Sequence, residues 1–223
     1  MSELFSIQLQ NRQQQGRDGV WLDLPTTTEQ VQAALRQIGI SSDNPQSLFI
    51  SGYFAEEEKR FAIPYNMVLA SNVDELNFLA SRLETLSAGE RAELNAALQA
   101  TQSELFSIGR INDFPENVDY YVHLPDVHGP AQLGDYYLNR SGMVDMPEEW
   151  KGGIDTAQFG RYVAQQEQGV FTEYGYLVKS GDAWQKVHEG QPVPEEYRVL
   201  SFPAPEVLRD SANIPPPVQP ETE

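Results

Sequence analysis

The sequence predicts an α+β protein: a small antiparallel sheet with one helix, a helical middle, and a mixed α/β C-terminal part. Three observations predict it. Period-2 alternation of apolar residues marks short strands towards both ends. Two capping-box spacings in the middle mark the starts of two successive helices. Apolar residues make up 40% of the 223 residues, enough for packed cores despite a formal net charge of −18.

Taken in order, Phe5, Ile7 and Leu9 alternate with polar residues, the pattern of a half-buried strand. The loop NRQQQGRDG leads to a second strand, Val20 to Leu24, which Pro25 ends. Thr27 or Thr28 caps a helix carrying Val31, Ala34, Leu35 and Ile38 on one face, and Gly39 stops it. SLFISGYF, from Ser47 to Phe54, reads as a third strand. Asn72 with Glu75, and Ser87 with Glu90, have the spacing of reciprocal N-caps. Leu76, Leu79, Ala80 and Leu83 stripe the first of these helices; Leu94, Ala97 and Leu98 stripe the second. A helix pair this small has to bury its stripes on neighbours.

In the C-terminal part, DYYVHLP (Asp119 to Pro125) reads as a strand and Ala131 to Arg140 as a helix ending near Gly142. A further helix spans Asp155 to Gln166, with Phe159, Tyr162 and Val163 as its apolar side. VFTEYGYLVK and AWQKVH, split by Ser180-Gly181-Asp182, read as the two arms of a hairpin. These signals divide the chain into residues 1–63, an α+β unit; 64–108, helical; 109–200, α+β; and 201–223, a proline-rich tail expected to be flexible. The pentapeptide ELFSI occurs at Glu3 and again at Glu104, but its flanks do not match, so it marks no duplication.

Composition excludes several classes. Without cysteine there are no disulfides, thiolate metal sites or cysteine nucleophiles. No apolar run is long enough to span a membrane, and the first thirty residues lack the pattern of a secretory signal, which points to the cytosol. The acidic balance, 33 Asp and Glu against 15 Lys and Arg, has the wrong sign for direct nucleic-acid binding. No P-loop, dinucleotide glycine motif, HExxH or GxSxG elbow is present. The one metal-like cluster is His123, Asp126 and His128 in HLPDVH; its proline- and glycine-rich context suits an ordinary strand end and loop, and no metal or cofactor is assigned. The neighbouring carboxylates Glu148-Glu149 and Asp74-Glu75 read as solvated surface, with no catalytic residue among them.

What remains is the spacing of charge. Between Ile111 and Trp150, eight acids face one arginine, seven net negatives. They are spread at intervals along folded elements and not run together as in an acidic tail. B-DNA carries one negative charge per about 1.7 Å of axis, so eighteen charges match roughly nine base pairs and a dimer roughly eighteen.

The segment GGIDTAQFGRYVAQQEQGVFTEYGYLV (Gly152 to Val178) resembles the signature of the ArdA antirestriction family: Ile-Asp, aromatic-Gly-Arg, then Gly-x-Phe-Thr and Gly-Tyr in order. LGDYYLNRSGMVDMPEEW (Leu133 to Trp150) is similar to the family's Tyr-Tyr, Ser-Gly and Pro segment. DELNFLASRLETLSAGERAELNAAL (Asp74 to Leu98) is similar to its paired acidic helices, and GVWLDLPTTTEQVQAALRQIGI (Gly19 to Ile40) to its opening. The likeness runs in order from about residue 3 to 180, leaving out AEEEKRF after Phe54 and everything beyond Lys179.

The resemblance implies a non-enzymatic protein of mobile genetic elements: an elongated chain of three small domains, dimerising through the third. Such a protein mimics DNA and occupies the DNA-binding groove of a type I restriction–modification enzyme, on its methyltransferase core. The acids that would stand in for phosphates are Glu75, Glu84, Glu90, Glu93, Asp113, Glu116, Asp119, Asp126, Asp135, Asp145, Glu148, Glu149 and Asp155. Tyr136, Tyr137, Phe159 and Tyr162 are assigned to core or dimer interface. Two other readings stand beside this one. The protein would be an acidic module holding a basic protein partner without copying DNA geometry, or a small enzyme built on His123, Asp126 and His128.

Overall fold

The computed structural model describes residues 4–14, 16, 18–100 and 104–205. β1 (Phe5–Asn11) is the centre of a three-stranded antiparallel sheet, flanked by β2 (Val20–Leu24) and β3 (Leu48–Phe54). Its alternation works as expected: Phe5, Ile7, Leu9 and Asn11 are buried while Ser6, Gln8 and Gln10 face outward. α1 (Thr28–Gln37) covers the buried face with Val31, Ala34 and Leu35. Thr27, not Thr28, is its cap, closing a reciprocal box with Gln30. At the other end Gly39 adopts φ +67°, and the Gly39 and Ile40 amides donate back to Arg36 and Leu35, a Schellman closure. Asn11 secures that end to the sheet by donating to the Ile38 carbonyl at 2.9 Å.

The short α2 (Tyr65–Leu69) leads into α3 (Val73–Leu83) and α4 (Ala88–Gln99), and both expected capping boxes form, Asn72 with Glu75 and Ser87 with Glu90. The helices bury their stripes on different neighbours: α3 lies against β2 and α5 (Ile108–Asn112), α4 against the second sheet. Two buried asparagines tie the irregular chain to them. Asn77 accepts from the Thr26 amide at 2.7 Å, and Asn95 accepts from the Ala62 amide at 2.8 Å.

Beyond α5 come β4 (Tyr121–Leu124), α6 (Pro130–Asp135), which continues as a π-helical turn from Tyr136 to Arg140, α7 (Glu148–Lys151), α8 (Thr156–Glu167), β5 (Val170–Thr172) and β6 (Gly175–Lys179). The second sheet is antiparallel in the order β4-β6-β5. The expected hairpin is placed differently. Its arms are the two halves of VFTEYGYLVK, turning at Glu173-Tyr174 into Gly175 at φ +120°, and residues 183–188 form no strand. Both sides of β6 are already paired, with β4 and β5, so no place is left for a strand beyond Gly181. The backbone of that segment bonds instead to the side chains of Asp113 and Asn117.

One apolar cluster runs from Leu4 and Ile7 through α1, α3 and α4 to Ile111, Tyr121 and Leu177. A second, smaller one gathers Val127, Leu133 and Tyr176, with Tyr137, Val163 and Phe171 at its edge. The second sheet therefore lies between the two, with Tyr121 and Leu177 on one face and Tyr176 on the other. α6 and α8 approach backbone to backbone where Gly134 meets Thr156 and Gly160 meets Pro130; a Cβ at either glycine would sit far inside van der Waals contact. Gly160 is the buried residue of α8, with Phe159 and Val163 half-buried. Tyr162, expected on the apolar side, is 60% exposed because the glycine contact turns it to solvent. The expected tail lies, from residue 206 on, outside the described residues.

Candidate functional site

The thirteen acids singled out above fall into three groups once placed on these elements. Asp119, Asp126, Asp145 and Glu149 are exposed and form no ion pair with Lys or Arg among the described residues. They sit before β4, in the loop after it, ahead of α7 and on α7. Asp119, Asp126 and Asp145 stand where the chain is turning, and a polar side chain there costs nothing to solvate.

A second group is engaged locally, by caps, hydrogen bonds and ion pairs. Asp155 caps α8, accepting from the Ala157 amide at 2.9 Å and the Gln158 amide at 3.0 Å. Glu75 and Glu90 close the boxes of α3 and α4, and hydrogen bonds from Ser87 hold the Glu90 carboxyl below the usual range. Carboxylates at helix N-termini also meet the positive end of the helix dipole. Asp135 bonds to Asn139 and to Arg140, each at 2.8 Å, which lowers its pKa in that order of cause. Glu148 pairs with Lys151 at 2.9 Å, and Glu116 with Arg82. Glu84 is half-buried at the C-terminus of α3.

The third group is withdrawn from the surface, contrary to expectation. Asp113 is 0% exposed; its Oδ1 accepts from the Val187 and His188 amides. Glu93 on α4 is half-buried with its Oε1 buried and unbonded, and its carboxyl is pushed up to about 8, first by burial and then by Glu90 and Asp119 nearby. At neutral pH Glu93 is mostly protonated, so it presents little charge to any partner. Sequence spacing could not separate these two from the rest, because burial depends on what returns from elsewhere in the chain.

The histidine cluster disperses. His123 Nε2 lies 2.7 Å from the Tyr174 carbonyl, bracing the β5–β6 turn, while the His128 amide donates to Gln132 at 2.7 Å. Among the described residues no three His, Cys, Asp or Glu side chains come together as a metal set. No helix among them is long and apolar enough to cross a membrane.

One network escaped the sequence reading. Glu167, at the end of α8, accepts from Tyr176 at 3.0 Å and from Tyr137, joining sheet, α8 and the π-helical turn. Burial and the adjacent carboxylate push both phenols well up. Tyr137 and Tyr176 are thus packing residues with a polar anchor, as buried tyrosines usually are. On the outer side of the same unit, Val122, Met143 and Trp150 are exposed, Met143 to 75%.

A family model described as antirestriction protein (ArdA) matches residues 15–178, nearly three quarters of the chain. No curated protein matches it.

Proposed function

As the chain belongs to the ArdA antirestriction family, we propose that it protects DNA from a type I restriction–modification enzyme by occupying the enzyme's DNA-binding groove. The surface carboxylates take the place of phosphates, and no bond is made or broken. The observation that carries this reading is the set of exposed acids Asp119, Asp126, Asp145 and Glu149, unpaired with Lys or Arg among the described residues and held in the turns, loops and short helix around β4 and α7, in a chain of net charge −18. Charges held on a folded scaffold keep their spacing, and spacing is what a groove built for phosphates reads. Asp155, Glu75 and Glu90 extend the set from the N-terminal ends of α8, α3 and α4. Asp113 and Glu93 drop out of it.

The working form is a homodimer in the cytoplasm. The edge strand β4, with Val122 outward, and the neighbouring Met143 offer apolar surface to a second copy.

A competition experiment tests the reading. A type I methyltransferase core bound to labelled duplex is titrated with this protein at two ionic strengths. The proposal requires displacement of the duplex, weakening steeply with salt as counterion release dictates. No displacement at low salt from several such enzymes would turn the search to a basic protein partner without DNA geometry.

A further inference from the structure

We infer that residues 183–203 form an intramolecular strap that fixes the second sheet relative to the first, and that the enzyme's groove reads this fixed placement. The second clause rests on the function proposed above. The segment lies wholly beyond the residues matched by the family model, which end at 178. It carries almost no regular structure, one 3-10 turn at Glu195–Tyr197, yet its bonds pass from the chain before β4 over α3 to α1 and the loop after it.

Its anchors follow one another in that order. Just ahead of the strap, the Ser180 amide donates to the Tyr120 carbonyl beside β4 at 2.9 Å. Asn117 then brackets Gln185, donating to its carbonyl at 2.9 Å and accepting from its amide at 2.7 Å. Asp113 takes the Val187 and His188 amides. Over α3, Asn77 donates to the Tyr197 carbonyl at 3.0 Å, and Asp74 Oδ1 accepts from both the Val199 and Leu200 amides at 2.7 Å. Gln32 of α1 reaches Ser201, and the Ser42 amide donates to the Pro203 carbonyl at 2.9 Å. Apolar contacts reinforce the path: Trp184 packs edge-on against Tyr120, and Phe78 of α3 is held between His188 and Tyr197 at centroid distances of 5.0 and 4.8 Å.

An irregular segment must find partners for its backbone groups, and a helix has none to spare. Asp and Asn side chains at four positions supply them here. Burying Asp113 is costly, and the strap offsets part of that cost with two amides on Oδ1, while Oδ2 has no partner. One buried carboxylate and one half-buried carboxylate are therefore committed to holding the strap down, at opposite ends of its course.

The chain has no cysteine, so Gln37→Cys on α1 and Gln165→Cys on α8, both exposed, accept spin labels specifically. Inter-label distances are measured in this full-length protein and with Asp74→Ala or Asp74→Asn added. The two substitutions remove the same charge, but only asparagine keeps an acceptor oxygen. A narrow distribution is expected in the parent and with asparagine, and a broad one with alanine. If loosening leaves the competent arrangement populated about a tenth of the time, duplex displacement with alanine weakens about tenfold. Asparagine restores it. A distribution as narrow with alanine as in the parent overturns the strap. So do unprotected Val199, Leu200, Val187 and His188 amides in hydrogen exchange on the unsubstituted protein, a readout that needs no variant to fold. Broadening with undiminished displacement overturns the second clause alone. A parent that displaces no duplex removes the proposed function while the distances still decide the strap.

Discussion

The first sheet buries one face under α1 and leaves the other to solvent, whereas the second is covered on both, by α4 on one side and by α6 and α8 on the other. The first is held by side-chain volume: Ile7, Leu9, Leu24 and Leu35 are fully buried. The second is held by the absence of side chains at Gly134 and Gly160 and by two phenols sharing Glu167. A large apolar core tolerates small losses by relaxing; a backbone-to-backbone contact has nothing that can move aside. The region bearing Asp119, Asp126, Asp145 and Glu149 is thus the one with the smaller core and the stricter packing.

Substitutions break this comparison in order of size. Gly160→Leu forces a side chain into the Pro130 carbonyl and should cost upwards of about 3 kcal/mol. In denaturant titration with residue-level amide exchange, protection should be lost first in α6, α8 and β4–β6 while β1–β3 stay protected. Uniform loss would contradict the difference between the regions. Leu9→Ala in the first sheet should cost about 2–3 kcal/mol, towards the lower end for core truncations because neighbours can partly close the cavity. Tyr176→Phe leaves a carboxylate oxygen of Glu167 without its partner, a loss of about 2 kcal/mol in the same titration.

Glu93 sharpens the comparison at the junction of α4 with the segment before β4. Its folded pKa of about 8 stands above the ordinary 4.5. Below pH 4.5 both folded and unfolded chains hold the proton, and stability is unaffected. As pH rises from there towards 8, the unfolded chain gives up a proton that the folded one keeps, so stability declines. Glu93→Gln should abolish that decline and leave the variant more stable at pH 8 by about 1 kcal/mol, a figure reduced for partial solvation. Thermal melts of both proteins at pH 5 and 8 measure it; parallel pH profiles would refute the assignment.

Local signals carried most of the first half. Alternation located β1, a capping threonine placed the start of α1 to within one residue, and reciprocal spacings located the starts of α3 and α4 because both partners of each box lie within three residues. The second half depends on contacts distant in sequence. Nothing near Gly160 announces that Pro130 will lie against it, and nothing in AWQKVH shows that Asp113 and Asn117 will satisfy its backbone. The same limit applies to the candidate surface: the sign and spacing of charge were legible, but the burial of Asp113 and Glu93 was not. Burial there is imposed by the returning strap and by packing around α4.

The most direct measurement compares two charge reversals of equal size. One protein carries Asp119, Asp126, Asp145 and Glu149 changed to lysine; the other carries Asp23, Asp43, Glu56 and Glu58, all exposed around the first sheet, changed likewise. Both end at the same net charge. Duplex displacement from a type I methyltransferase core should be lost in the first and held within a few-fold in the second. Equal losses would mean that total charge alone matters and that these carboxylates copy no DNA geometry.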